Sequence, residues 1–194
     1  MESSSSPAPM HTYAVEWAKE EGLTNCTPIY RNPQSPETLI TNMKEPVSSI
    51  FEAFERACEM EPTKDCIGVQ VPGEDGKPVY KWTSYAEWRD LILKTAKVLE
   101  KFNIAAGENK FVVMAATVSK EWLLLDMALM RICGISVPFY RTLGPQVVKQ
   151  IFDETGAQTL AGLSEDLLKY VKDGGPESVQ NLISLDTPSE ELLG

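Results

Sequence analysis

Apolar residues are sparse and follow no period over residues 1–46, and from Val47 onward they fall into alternating helical and strand spacings. Val47, Ile50, Phe51, Phe54, Ala57 and Cys58 recur at helical intervals, with Pro46 before them and Pro62 beyond, which predicts a helix. Cys66–Val71 and Val79–Trp82 are short strand-like runs joined by Gly73-Glu-Asp-Gly-Lys77. Asp-Gly readily takes the positive φ of a tight turn, so the two runs read as a β-hairpin. Ser84 with Glu87 three residues later is a capping box. It opens a long helix to Phe102 whose apolar face is Tyr85, Trp88, Ile92, Leu99 and Phe102.

Phe111–Ala116 is wholly apolar, as in a strand covered on both faces. Ser119 caps a helix running through Trp122, Leu125, Leu129 and Ile132, and Ile135–Phe139 is the next strand. Pro145 opens a helix that Gly156 closes, followed by a strand over Ala157–Leu163. Ser164 opens a helix over Glu165–Val171, and Leu182–Leu185 is a last strand. Strand and helix alternating in this way predict an α/β fold: a mostly parallel sheet with flanking helices. The hairpin belongs at an edge or in a separate small sheet. The chain thus divides into an extended N-terminal arm over residues 1–46, an α/β domain over 47–186 and a polar tail over 187–194. The arm, punctuated by prolines, is read as lying on a domain surface or partly disordered. Its exception is Tyr13–Glu21, a short helix carrying Trp17, a residue expected to anchor the arm to a groove.

Charge narrows the function classes. The net charge is −10 with a pI near 4.7, which disfavours electrostatic binding to nucleic acid or to an anionic membrane. The N-terminus has neither the basic nor the apolar region of a secretory signal. No apolar run approaches the ~20 residues of a membrane helix. The four cysteines form no CxxC pair and His11 is the single histidine, so a zinc site is disfavoured. Cys58, Cys66 and Cys133 read as small core residues, a pattern that suits a reducing compartment.

Catalytic motifs are absent from the string. It holds no GxxxxGK[ST], no GxGxxG after a strand and no GxSxG. Glu74 and Asp75 in the hairpin turn would repel a phosphate. Glu52, Glu55 and Glu59 read as the wet face of a helix, and Asp126, mid-helix among apolar neighbours, as its polar stripe. Trp82, Trp88 and Trp122 read as core. Residue by residue, the sequence assigns no catalytic, no cofactor-binding and no metal-binding residue.

Three pieces between about residues 80 and 165 resemble a known family: Tyr80-Lys-Trp-Thr-Ser-Tyr-Ala-Glu87, Ser119-Lys-Glu-Trp122, and Gly134-Ile-Ser-Val-Pro-Phe-Tyr-Arg-Thr-Leu-Gly144. In this order and spacing they are similar to the long-chain acyl-CoA synthetases of the adenylate-forming, AMP-binding superfamily. Val118, Lys120 and Arg141 stand where the family pattern has Asn, Pro and Asp. The resemblance implies a partial N-terminal domain of the adenylate-forming fold. For the full family enzyme it implies ATP, magnesium and coenzyme A, and a fatty acid as substrate. The family's phosphate loop, adenine-binding segment, ribose-binding Asp and C-terminal Lys match nothing here, so the segment is expected to bind none of these cofactors and to be inactive alone. The implied partner is the remainder of a synthetase, or a protein covering an exposed apolar face, with self-association as a consequence of such a face. The implied location is the cytoplasm or the periphery of the endoplasmic reticulum or peroxisome. The alternatives are a freestanding non-catalytic interaction module, and a flavodoxin-like nucleotide binder that the missing glycine loop counts against.

Overall fold

The structure is a computed structural model that describes residues 13–18, 24–40, 46–104, 107 and 110–193. The chain forms two compact units, residues 1–48 and 49–194.

In the first unit, β1 (Val15–Ala18) pairs antiparallel with β2 (Ile29–Arg31). A strand therefore stands where the sequence predicts a short helix around Trp17. The cause is a contact across the ribbon: the Arg31 guanidinium lies 3.4 Å above the Trp17 ring. Arg31 Nη1 also donates to the carbonyls of Pro36 and Glu37, each at 3.0 Å. A cation–π contact with strand pairing outweighs a helix too short to persist alone. His11 lies outside the described residues.

The second unit opens with α1 (Ile50–Met60), capped where Ser49 Oγ accepts from the Glu52 N–H. β3 (Asp65–Pro72) and β4 (Pro78–Ser84) form a separate antiparallel ribbon. At its turn Gly76 has φ 75°, the left-handed conformation that glycine adopts without steric cost. The capping box at α2 (Tyr85–Lys101) is reciprocal: the Glu87 N–H donates to Ser84 Oγ, and Glu87 Oε2 accepts from the Ser84 N–H at 2.9 Å and Ser84 Oγ at 2.8 Å. Those bonds, the backbone one foremost, hold the Glu87 carboxyl below the usual carboxylate range.

The remaining elements build a four-stranded parallel sheet: β5 (Phe111–Ala115), α3 (Lys120–Arg131), β6 (Ile135–Pro138), α4 (Pro145–Thr155), β7 (Thr159–Gly162), α5 (Ser164–Lys172) and β8 (Asn181–Ser184). Strand order is β6-β5-β7-β8. Alternation along β5 divides the core in two. Val112 and Met114 join Trp88, Ile92 and Leu99 of α2 and Leu125 and Leu129 of α3. Val113 and Ala115 join Val148 and Phe152 of α4 and Leu167 of α5. α4 begins with Pro145 at its first turn and ends at Gly156, φ 63°, whose N–H donates to the Phe152 carbonyl at 2.8 Å.

Three further expectations from the sequence are corrected. Cys133 is exposed, because α3 ends at Arg131 and Cys133 takes φ 57° beyond the cap while the Gly134 N–H closes back on the Leu129 carbonyl. Trp82 is half exposed, stacked on Tyr80 with centroids 5.6 Å apart. Phe102 is exposed as the cap of α2. Beyond β8 the chain forms a short helix, α6 (Glu190–Leu193), whose Leu192 packs on the α4–α5 side of the core and whose Glu191 pairs with Lys172.

Candidate functional site

In an open parallel sheet, ligands bind beyond the carboxyl ends of the strands where the strand order reverses. Here that point lies between β5 and β7. The loops after β5, β6, β7 and β8 bring Ser119, Lys120, Arg141, Ser164 and Asp186 to this edge, and each is held by a partner within the chain.

Lys120 Nζ donates to Thr83 Oγ1 at 3.0 Å and lies 5.7 Å from the Trp88 ring centroid. The lysine thus ties the start of α3 to β4 and α2. Ser119 Oγ accepts from the Trp122 N–H at 3.1 Å as the helix cap, while Val118 beside it is exposed.

Arg141 follows β6. Its Nη2 donates to Glu165 Oε1 at 2.7 Å and to Asp166 Oδ1 at 2.9 Å, and its Nε lies 2.7 Å from Asp166 Oδ2. The two carboxylates occupy the first turn of α5, where negative charge is favoured by the helix dipole. The bonds to Asp166 and then Glu165 push the guanidinium pKa further up. Arg141 is therefore a strap from the β6 loop to α5, matched to a pair of acids more than twenty residues away.

The sequence offers no local signal for a third cluster. Asp186 Oδ1 accepts from the Ser164 N–H at 2.9 Å, from Ser164 Oγ at 2.7 Å and from Ser184 Oγ at 2.7 Å. These bonds, the Ser164 hydroxyl foremost, hold the Asp186 carboxyl below its usual range. The cluster joins the end of β8 to the start of α5. Ser164 is recognisable in sequence as a helix opener, but its partner is set by the pairing of β7 with β8.

The other residues singled out in the sequence have structural roles. Asp126 Oδ1 accepts from Ser136 Oγ at 2.6 Å, fastening α3 to β6. Glu55 pairs with Arg89 at 3.1 Å. The Cys58 thiol is buried and donates to the Tyr85 carbonyl at 3.6 Å. Burial pushes the pKa of Cys58 and Cys66 up, so both thiols stay protonated and neither is an activated nucleophile. Among the described residues no three His, Cys, Asp or Glu side chains converge to hold a metal ion. The carboxylates of this edge are bonded to Arg141, Ser164 and Ser184.

Comparison with known proteins gives this scaffold its place. A family model described as "AMP-binding enzyme" matches residues 54–193. The chain belongs to the AMP-binding enzyme family. Human "Long-chain-fatty-acid--CoA ligase 6" is 25% identical over 182 residues, 92% of this chain and 25% of the relative. "Long chain acyl-CoA synthetase 6, peroxisomal" of Arabidopsis thaliana is 26% identical over 141 residues, 72% of this chain and 20% of the relative. This AMP-binding chain thus spans about a quarter of the length of the curated relatives it matches. In three dimensions it resembles the adenylation domain of a carboxylate reductase from Mycobacterium chelonae. There the TM-score is 0.58 at 24% identity, covering 72% of this chain and 23% of that one. The fold is that of the N-terminal α/β domain of adenylate-forming enzymes, with the parallel sheet, flanking helices and antiparallel ribbon expected from the sequence. No helix among the described residues is long and apolar enough to cross a membrane.

Proposed function

We propose that this chain is the N-terminal scaffold portion of a long-chain-fatty-acid–CoA ligase and that it does not catalyse the ligation alone. The whole reaction converts ATP, a fatty acid and coenzyme A into acyl-CoA, AMP and pyrophosphate, with magnesium. The observation that carries the reading is the bonding at the carboxyl edge. Lys120, Arg141 and Asp186, charged groups at the carboxyl edge of the sheet, are each engaged within the scaffold. ATP, magnesium and coenzyme A would then be held by residues that the rest of a ligase supplies, and that rest would be this chain's partner. Its place in a cell would be the cytoplasm or the periphery of the endoplasmic reticulum or peroxisome, the last being where a relative's name puts that relative.

The test is direct. The purified 194-residue protein is incubated with ATP, magnesium, palmitate and coenzyme A and assayed for acyl-CoA. The expected yield equals the protein-free blank; enzyme-dependent palmitoyl-CoA would overturn the reading.

A second reading, a non-catalytic interaction module derived from the same fold, is favoured by the exposed ribbon. Tyr80 and Trp82 are 59% and 50% exposed on one of its faces. Such a surface favours a covering partner or self-association. Sedimentation separates the cases: association reversed by Tyr80→Ser with Trp82→Ser supports an interaction role for this face, and a concentration-independent monomer argues against it.

A further inference from the structure

The four-stranded sheet ends in β6 on one side and β8 on the other. In a parallel ladder, successive residues turn their N–H and C=O groups to opposite sides of the strand. On β6 the Ile135 and Phe139 N–H groups donate inward, to the Lys110 and Met114 carbonyls, at 2.6 and 3.1 Å. Ser136 and Pro138 therefore face outward, and Pro138 has no N–H to offer. A proline so placed guards an edge against further pairing.

The edge at β8 has no such guard. Asn181 and Leu185 donate inward, to the Gln158 and Gly162 carbonyls, at 3.0 and 2.9 Å. Leu182 and Ser184 therefore present N–H and C=O groups outward, where the described residues place no further strand. Donors and acceptors at strand spacing are matched by the backbone of another strand, so these groups name the occupant as well as the place.

The side chains beside the edge narrow it further. Leu182 stands in register with Leu160, on the face that α4 and α5 cover. A groove of about 340 Å³ lies there, with Val171, Val179 and Leu182 in its lining and no charged residue. Leu182 is 40% exposed and Val171 58%.

We propose that β8 is a strand-addition site: it takes an extended protein segment that pairs with the backbone of Leu182 and Ser184 and lays uncharged, apolar side chains against Val171 and Leu182. The proposal depends on neither the ligase reading nor the Tyr80–Trp82 face, because the edge lies outside the β3–β4 ribbon and its test measures no turnover.

The probe is the peptide acetyl-Lys-Val-Thr-Val-Thr-Val-Lys-amide, titrated into the isotopically labelled 194-residue protein and followed by NMR. The Leu182 and Ser184 amides shift saturably and their hydrogen exchange slows, while Ser136 on the β6 edge stays in place. The same peptide N-methylated at its valine and threonine amides, with no donors left for pairing, does not bind. Leu182→Pro, which copies the guard of β6, weakens the unmethylated peptide at least about ten-fold, through one lost hydrogen bond and one lost apolar contact. The methylated peptide decides the matter if that variant does not fold. Three outcomes overturn the proposal. One is no saturable shift at Leu182 and Ser184. The second is equal binding of the methylated peptide, which means that strand pairing is not the contact. The third is protection of the two amides that grows with protein concentration before any peptide is added, which means that a second copy occupies the edge.

Discussion

The parallel sheet and the β3–β4 ribbon both carry strands rich in Val and other apolar residues, yet they end in opposite environments. Val112, Val113 and Met114 of β5 have no exposure, whereas Val69, Val79, Tyr80 and Trp82 of the ribbon are all exposed. The difference is cover. Helices α2 and α3 close one face of β5 and α4 and α5 the other. The ribbon buries only the end nearest the helices, where Cys66 and Ile67 meet the core. Farther along the ribbon Trp82 lies over Gly68, where an added Cβ would come within 2.7 Å of the indole. A strand's burial is thus decided by what the chain lays across it, and the ribbon is the part of the second unit that gains most from a partner.

The largest effect that tests this contrast is truncation of one tryptophan on each side. Trp88→Ala, in the fully buried core, is expected to cost about 3–5 kcal/mol in denaturant unfolding. Trp82→Ala on the ribbon is expected to cost under about 1 kcal/mol. Comparable losses would break the contrast. A smaller effect lies at the end of α3, where Cys133 occupies the left-handed position that usually holds glycine. Cys133→Gly is expected to stabilise the protein by roughly 1 kcal/mol, and a lower unfolding midpoint would contradict the assignment of strain there.

The smallest effect concerns acid. Asp186 in the loop after β8 and Glu87 at the ribbon's junction with α2 both have lowered pKa values, through bonds from Ser164 and Ser184 and from Ser84. A depressed carboxyl pKa adds stability that is present above the unfolded values of about 3.9 and 4.3 and lost as pH falls through the folded values. Melting temperatures followed from pH 6 to pH 3 should therefore decline at the acid end. Asp186→Asn and Glu87→Gln should each flatten that decline, and an unchanged slope in both would remove the linkage.

Much of this architecture is legible in the chain because its determinants are local. The Ser84–Glu87 box, Pro145 with Gly156, and Asp75-Gly76 each fix an element within a few residues. The all-apolar β5 announces its two covers. What escapes the sequence depends on distant partners. Trp17 sits in a strand because Arg31 stacks on it from the neighbouring strand. Arg141 is a departure from the family pattern that makes sense only beside Glu165 and Asp166. Trp82 is as apolar as Trp88 and differs only in lacking a helix above it. The motifs name no site residue and could not reveal the Asp186 cluster, which is a product of tertiary packing.

On the proposed function, the charged groups at the sheet's carboxyl edge serve structure rather than adenylation. Palmitate-dependent exchange of labelled pyrophosphate into ATP isolates that first half-reaction without coenzyme A. The account predicts exchange no greater than in a palmitate-free control. Exchange that rises with palmitate and with the concentration of the purified chain would contradict it.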